Sequence, residues 1–346
     1  MHIVQFCPTT YAIPPTGYGG TERVVHWLAR AHHLAGHRVT VIANPASTIA
    51  DELPGVQFIA WTGEQTLESL LPTDIDVVHM HKVPRGFQGL EQPFLVTEHG
   101  NRPADVQFQV NTVFVSASHA RVHGRSTFVA NGVPVNDYRL GELKKRYMLS
   151  LVRMEWPHKN ARTAIDLALD LDLPLNMAGK YPPWFRPKIW GPWCLQPLAV
   201  SRLVTRLGYV GGQRKLDLLA EAAVSFHLVN WHEPAAISVL ESLASGTPVL
   251  GSPNGSVPDY VEHGATGMIV SSYEEALDAA RILSSLDANA QRSWSRRCRD
   301  SAVTFDSTAQ GYLRIYERVI SGDTLSTPDE RRPAQERPVT IIRKPW

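Results

Sequence analysis

The stretch VSFHLVNWHEPAAISVLESLASGTPVLG, residues 224–251, decides the fold. Its apolar run Val224–Val229 predicts a strand. Pro234 opens a helical pattern that runs to about Ser245, and Gly246 closes it before a second apolar run. Strand, helix, glycine and strand in this order are typical of a βαβ unit with parallel strands. We therefore predict an α/β fold.

Two carboxylates in this stretch are candidate ligand contacts. Glu233 follows the first strand, at the edge where open α/β sheets bind ligands. Glu241 lies inside the apolar stripe of the helix, four residues after Ile237, and a carboxylate on an inward face needs a hydrogen-bonding partner. Eight residues of helix rise roughly 12 Å, so the two acids can contact different parts of one long ligand. The alternative is that Glu233 is a solvated loop acid and Glu241 pairs with a buried cation.

The bulk composition suits a two-domain globular protein without a strongly charged partner. The chain has 346 residues, 43% of them hydrophobic and 19% charged, with a net charge of +1. No strong basic field exists to recruit nucleic acid, and we expect no nucleic-acid partner.

The spacing of the cysteines and the length of the apolar runs indicate the cellular compartment and whether a structural metal is expected. Cys7, Cys194 and Cys298 are far apart and form no CxxC motif, so neither a disulfide framework nor a zinc site is predicted. The first residues lack the charged flank of a signal peptide, and no apolar run approaches the roughly 20 residues that span a bilayer. We expect a cytoplasmic protein, with peripheral contact to the inner face of the membrane left open.

The N-terminal half begins with a second βαβ pattern. Gly19 and Gly20 stand where the first strand turns into a helix that Thr21 can cap, and such a turn binds anions well. Their spacing is not that of a dinucleotide fingerprint, and no acid ends the next strand at Ala43. A turn needed only for chain reversal is the alternative.

Several polar residues accompany the next strands. His79 and His81 share one face of a strand, which is more typical of polar lining than of a metal site when no third ligand is evident. Asp74 and Asp76 spell DxD, which we interpret as a turn before that strand. His99 directly follows another strand and so lies at a ligand-binding edge.

The second half opens after a polar stretch, residues 136–146, that we interpret as the domain boundary. Arg153 ends the next strand, and Lys159 precedes a helix. An arginine fork and a lysine point charge around one loop can bind a diphosphate, although surface cations are the alternative. The Trp- and Pro-rich loop 181–193 suits a sugar-stacking platform, an interface or a packed loop.

Together these segments resemble a retaining glycosyltransferase of the GT-B fold, in glycosyltransferase family 4 (glycosyl transferases group 1). The Glu-x7-Glu pattern from Glu233 to Glu241 carries the resemblance. Four further motifs occur in the family's order, covering about residues 1–320: GYGGTERVV at 17–25, TEHG at 97–100, NGVP at 131–134 and LVRMEWPHKN at 151–160.

The resemblance implies two Rossmann-like parallel-sheet domains facing across a cleft. Residues 1–145 would form the acceptor domain, with a helix near 305–320 crossing back to it. Residues 146–304 would form the donor domain. The Pro-rich, charged tail 321–346 is expected to be disordered.

The resemblance also implies roles at the donor end of the site. Glu241 would hold the ribose hydroxyls of a nucleotide sugar, and Glu233 would contact hydroxyls of the transferred sugar. Arg153 and Lys159 would neutralise the diphosphate, so no metal or cofactor is expected.

Further implied contacts complete this site. Gly19 and Gly20 would approach the diphosphate, Ile237 would present a helix N-terminus to the donor, and His99 would lie beside the anomeric centre. The chain departs from the family pattern at Ala235-Ala236, where Phe-Gly is usual, at Val152, where glycine is usual, and at Asp259, where glutamate is commoner. No charged ligand is lost, and activity is expected.

The implied reaction is hexosyl transfer with retention to an acceptor hydroxyl on a saccharide, a lipid-linked saccharide or a secondary metabolite. The alternatives are a sugar-nucleotide epimerase or hydrolase on the same fold, and a catalytically silent sugar-nucleotide-binding protein. The oligomeric state stays open.

Overall fold

In the computed structural model, which describes residues 1–180, 202–325 and 337–343, the chain forms two units, each built on a six-stranded parallel sheet. The first unit comprises residues 1–134 and 304–325. The second comprises the described residues of 135–303 together with 337–343. The predicted α/β fold with two Rossmann-like sheets is confirmed.

The first sheet has the strand order β3-β2-β1-β4-β5-β6, with all neighbouring strands parallel. Its elements are β1 (His2–Cys7), α1 (Gly20–Leu34), β2 (Arg38–Ala43), α2 (Ile49–Glu52), β3 (Gln57–Ala60), β4 (Val77–Met80), β5 (Phe94–Glu98), β6 (Thr112–Phe114) and α3 (Ala117–Val122). The order reverses between β1 and β4, which makes the carboxyl ends of these strands the expected ligand-binding edge.

The second sheet repeats this topology. Its order β12-β11-β10-β7-β8-β9 places β7 and β10 at the reversal point. Its elements are β7 (Lys145–Leu151), α4 (Ala161–Leu171), β8 (Leu175–Ala178), β9 (Val204–Gly208), α5 (Gly212–Glu221), β10 (Ala222–His227), α6 (Ile237–Ala244), β11 (Val249–Gly251), α7 (Val257–Tyr260), β12 (Gly267–Ile269), α8 (Tyr273–Ser284) and α9 (Ala288–Ser301). Strands buried on both faces explain the uninterrupted apolar runs in the sequence.

Helix α10 (Phe305–Ile320) returns the chain to the first unit. Thr304 caps it, because its side chain accepts a hydrogen bond from the backbone N–H of Ser307. The helix buries Tyr312 and Tyr316 completely.

The units divide between residues 134 and 135 rather than between 145 and 146. The polar stretch that we interpreted as a boundary packs on the second unit. The hydroxyl of Tyr138 donates to Glu241 at 2.9 Å, and the backbone N–H of Gly141 donates to the carbonyl of Ser245 at 3.1 Å. Polar composition was a poor guide here because these polar groups have partners within one unit.

Residues 337–343 lie on the second unit, which differs from the expectation of a disordered tail for this part of the chain. Ile341 is 1% exposed. Its backbone is held on both sides, with Asn160 donating to its carbonyl at 2.8 Å and Asn230 accepting from its N–H at 3.1 Å. Arg343 forms an ion pair with Asp170 at 2.9 Å.

No helix among the described residues is long and apolar enough to cross a membrane.

Candidate active site

The carboxyl ends of β7 and β10 bring the predicted cations and one predicted acid to one edge of the second sheet. Lys159 Nζ donates to Glu233 Oε2 at 2.6 Å, and the two side chains are only 12% and 11% exposed. The indole Nε1–H of Trp231 donates to the same oxygen at 2.6 Å. Glu233 is therefore not the solvated loop acid of the alternative interpretation.

The electrostatics of Glu233 favour its charged form. Burial by itself would raise the pKa of this carboxyl, but the nearby charge of Lys159, the imidazole of His227 and the hydrogen bonds from Lys159 and Trp231 together lower the pKa below the ordinary value. The carboxylate is therefore ionised at neutral pH and acts as a hydrogen-bond acceptor.

A glycine fixes the backbone of Glu233. Gly255 has φ +63°, and a Cβ atom placed on it would lie 2.2 Å from the backbone nitrogen of Glu233. The next residue, Ser256, donates its N–H to the carbonyl of Glu233 at 2.8 Å. The loop after β11 therefore packs directly against the loop after β10.

Arg153 and Lys159 are linked by a row of aromatic rings. The guanidinium of Arg153 lies 4.4 Å from the ring centroid of Trp156, and Lys159 Nζ lies 4.7 Å from that of Trp231. The ring of His158 stands between the two indoles, with centroid distances of 5.4 and 4.5 Å. Cations over indole faces gain electrostatic stabilisation, so the row holds both cations at this edge.

Arg153 also has a carboxylate partner that the sequence analysis did not single out. Its Nε donates to Glu155 Oε1 at 2.9 Å, and Lys180 lies 3.7 Å from the same oxygen. Arg153 is 15% exposed and is not a free surface cation.

Glu241 faces inward from α6, as its position in the apolar stripe predicts, and is 3% exposed. Its Oε1 accepts hydrogen bonds from Lys215 Nζ at 2.6 Å and from the hydroxyl of Tyr138 at 2.9 Å. Glu241 therefore pairs with a cation, as the alternative interpretation of this residue predicted. A paired carboxylate still has lone pairs for further donors, so this contact does not exclude a ligand.

The N-terminus of α6 lies between the two acids but begins later than predicted. The helix starts at Ile237 and not at Pro234, because Ala236 adopts left-handed φ and ψ of 47° and 45°. No side chain caps this end. The N–H of Val239 donates to the carbonyl of Ala236 at 2.8 Å, and the partial positive charge of this helix N-terminus favours an anion.

In the first unit, a chain of hydrogen bonds holds His99. Gln5 Oε1 lies 2.6 Å from His81 Nε2, and His81 Nδ1 lies 2.9 Å from His99 Nε2. Burial lowers the pKa of His81 well below its usual range and that of His99 to about 3, so both rings are neutral. With the amide of Gln5 oriented this way, each Nε2 carries the proton, and Nδ1 of His99 is an acceptor.

The same chain continues to His79 and α10. The amide nitrogen of Gln5 donates to the hydroxyl of Tyr316 at 3.2 Å, which lies 2.8 Å from His79 Nδ1. His79 Nε2 lies 2.6 Å from the hydroxyl of Thr97, and that hydroxyl lies 2.9 Å from the hydroxyl of Tyr312. His79 and His81 are thus hydrogen-bonded to polar side chains. No group of three or more His, Cys, Asp or Glu suited to a metal ion occurs within the described ranges.

The glycine pair of the first unit opens α1. Gly19 and not Thr21 precedes the first helical residue, which is Gly20. Gly19 has φ +151°, and a Cβ atom on it would lie 2.6 Å from Pro15. Glu22 is 4% exposed in the first turn, so a carboxylate already lies beside the predicted anion contact.

Several residues that complete each cluster were not predicted from the sequence. Lys215, Tyr138 and Trp231 hold the two acids, and Gln5 orients the histidines. Only the burial of Gln5 in an apolar strand was visible in the sequence. The loop 181–193 lies outside the described residues.

Comparisons with known proteins show what part of the second unit resembles in sequence. Residues 196–300 match the family model of glycosyl transferases group 1. The spore coat protein SA of Bacillus subtilis (strain 168) is 28% identical over 93 residues, which are 25% of this chain and 25% of that protein. The chain therefore spans about a quarter of that curated relative.

The structural likeness extends over nearly the whole chain. AviGT4, a glycosyltransferase involved in Avilamycin A biosynthesis, is 26% identical with a TM-score of 0.73, over 94% of this chain and 99% of that one. Anabaena Alr3699/HepE in complex with UDP and glucose is 16% identical with a TM-score of 0.66, over 93% and 98%. Residues 196–300 thus match glycosyl transferases group 1, and the chain has the GT-B fold.

Proposed function

We propose that this protein is a retaining glycosyltransferase of family 4 that moves a hexosyl group from a nucleotide-diphosphate sugar to an acceptor hydroxyl. The observation that carries the proposal is the ion pair of Lys159 and Glu233 at the carboxyl edge of the second sheet, of which Glu233 lies within the residues that match glycosyl transferases group 1. The pair offers a cation for a diphosphate and, next to it, a carboxylate for sugar hydroxyls.

The charges of this edge suit the leaving group. Breaking the anomeric C–O bond leaves negative charge on the diphosphate, and Lys159, Arg153 and the N-terminus of α6 at Ile237 all favour negative charge. Glu233 Oε1 has no hydrogen-bond partner among the described residues and can accept from a sugar hydroxyl. Two cations take the part that a metal ion plays elsewhere, so the reaction is proposed to be metal-independent and to need no cofactor.

The remaining assigned residues contact the ends of the donor in this proposal. Glu241 accepts from the ribose hydroxyls, and Gly19 and Gly20 approach the diphosphate. His99 lies beside the anomeric carbon as a neutral ring. The acceptor is a saccharide, a lipid-linked saccharide or a small molecule, and the likeness to AviGT4 supports the last class.

The proposed compartment is the cytoplasm. Cys7 and Cys298 are free and buried, and burial raises the pKa of each thiol to about 12, so both are protonated and unreactive.

The test is thermal unfolding of the protein with a panel of nucleotides and nucleotide sugars, beside Lys159→Met. A ligand at 100 times its dissociation constant stabilises the folded state by about 2.7 kcal/mol. We expect one nucleotide series to raise the melting temperature of the wild type and not that of Lys159→Met. Lys145→Met is the matched control, because Lys145 forms an exposed ion pair and is itself 68% exposed.

Turnover then separates the classes of activity. Transfer of the sugar to an added acceptor, with the anomeric configuration kept by NMR, supports the proposal. Release of free sugar without an acceptor identifies a hydrolase. Binding without turnover identifies a sugar-nucleotide-binding protein, and no binding by the wild type contradicts the proposed donor class.

A further inference from the structure

One buried nitrogen near the proposed site lacks a partner. His227 is the last residue of β10 and is 3% exposed. Its Nδ1 lies 3.3 Å from the hydroxyl of Ser238, whereas its Nε2 has no hydrogen-bond partner among the described residues. Buried polar atoms without partners are rare because they forfeit hydration, and an apolar side chain would avoid the loss.

This nitrogen faces the carboxylate of Glu233. The distance between His227 Nε2 and Glu233 Oε2 is 3.9 Å, about 1 Å longer than a hydrogen bond. Burial lowers the pKa of His227 to about 4, so the ring is neutral and has one N–H group. When Ser238 donates to Nδ1, that N–H group is on Nε2 and points to the carboxylate.

The carboxylate of Glu233 does not reach hydrogen-bond distance of His227 because it accepts hydrogen bonds from other donors. Lys159 and Trp231 both donate to Oε2 at 2.6 Å. The backbone of Glu233 is fixed by Gly255 and Ser256, so its carboxylate can move only by rotation of the side chain.

A diphosphate would compete for the strongest of these donors. Phosphate oxygens attract an ammonium group at least as strongly as a carboxylate does, and charge-assisted hydrogen bonds dominate such a choice. When Lys159 turns to the phosphate, Glu233 loses its cation. A rotation of the Glu233 side chain that moves Oε2 by about 1 Å then brings this oxygen within hydrogen-bond distance of His227 Nε2.

We propose that His227 is a positioning residue that takes over the carboxylate of Glu233 from Lys159 when a nucleotide-diphosphate sugar binds. The proposal rests on the function proposed above and goes beyond it. The unpartnered nitrogen is then satisfied only in the donor-bound protein. The hydrogen bond keeps Glu233 oriented toward the sugar after Lys159 has left it.

The first experiment compares unliganded stability with donor affinity in His227→Leu and His227→Gln. UDP-glucose is the first probe, followed by the nucleotide sugar that stabilises the wild type in the thermal screen. We expect His227→Leu to be as stable as the wild type in urea without ligand but to bind the donor about tenfold more weakly. His227→Gln, whose amide can still donate, should bind within about threefold of the wild type. A destabilised His227→Leu with unchanged affinity would show that His227 only packs the core.

The second experiment needs no donor. Lys159→Met removes the cation from Glu233 permanently while Trp231 still donates to Oε2. The ¹H–¹⁵N signal of His227 Nε2–H should therefore move downfield in this variant, as expected on forming a hydrogen bond to a carboxylate. Lys145→Met should leave the signal where it is in the wild type. An unmoved signal in Lys159→Met overturns the proposal, whereas failure of the wild type to bind any nucleotide sugar counts only against the proposed function.

Discussion

The first sheet and the second sheet share one strand order, yet they hold the polar residues of their carboxyl edges in different ways. In the first unit, Gln5, His79, His81 and His99 form a chain of neutral groups. In the second unit, the buried carboxylates Glu233 and Glu241 form ion pairs with Lys159 and Lys215. One topology thus supports both a neutral and a charged site, and the residues alone set the chemistry.

This comparison predicts that acid destabilises the first unit before the second. Five histidines of the first unit have pKa values lowered by desolvation: the buried His32, His79, His81 and His119, and the half-buried His99. The unfolded chain binds protons at these sites below about pH 6.5 while the folded unit does not. Each histidine therefore removes about 1.4 kcal/mol of stability per pH unit as the pH falls below that value.

Hydrogen exchange followed by mass spectrometry, corrected for intrinsic exchange rates, measures the loss of stability of each unit between pH 7.5 and 5. Peptides of β1, β4 and β5 should lose protection before those of β7 and β10, which contain only His227 of this kind. His32→Leu should reduce the slope of unfolding free energy against pH in the first unit by the equivalent of about one proton. Equal loss of protection in both units would break the comparison.

The second prediction concerns the ion pair of the second unit. Glu241→Ala leaves the Lys215 ammonium, whose side chain is 13% exposed, without its carboxylate, which should lower the free energy of unfolding by about 3 kcal/mol. Urea denaturation measures the loss. Adding Lys215→Met to Glu241→Ala should restore most of it, because both charges are then absent. A double variant as unstable as the single one would show that Glu241 stabilises the unit in another way.

The smallest expected effect is at the start of α6. Ala236 has φ 47°, a conformation that costs an ordinary residue about 1 kcal/mol and glycine nothing. Ala236→Gly should therefore raise the stability of the second unit by up to about 1 kcal/mol, less the greater chain entropy of glycine. Thermal unfolding measures this. Ala236 is 2% exposed. A loss of stability in Ala236→Gly would therefore mean that the packing of its methyl group stabilises the unit by more than the backbone conformation costs.

Much of this architecture was predictable because local periodicity encodes it. The apolar runs located the strands, and the stripe of α6 placed Glu241 inside. The position of His99 directly after a strand put it at a sheet edge. The resemblance to a GT-B glycosyltransferase, carried by the Glu-x7-Glu pattern, is supported by the matching family model and folds.

The contacts that complete the site were not predictable, because they join distant parts of the chain. Lys215 and Glu241 are 26 residues apart, and Gln5 and His81 are 76. Periodicity carries no information about such pairs. Composition was also misleading for residues 337–343, where Ile341 supplies the burial that a Pro-rich, charged segment does not suggest.

The return of the chain through α10 and residues 337–343 bears on how the protein is made. Thr97 and its partner Tyr312 are 215 residues apart, so a ribosome working at about 5–20 residues per second needs roughly 10–40 s to deliver the second after the first. Until then the histidines of the first sheet lack their tyrosine partners. The core of the second unit is completed later still, because it includes Ile341. All strands of both sheets are made before these segments, so each sheet can form early, but neither unit buries its interior fully until α10 or Ile341 has been synthesised.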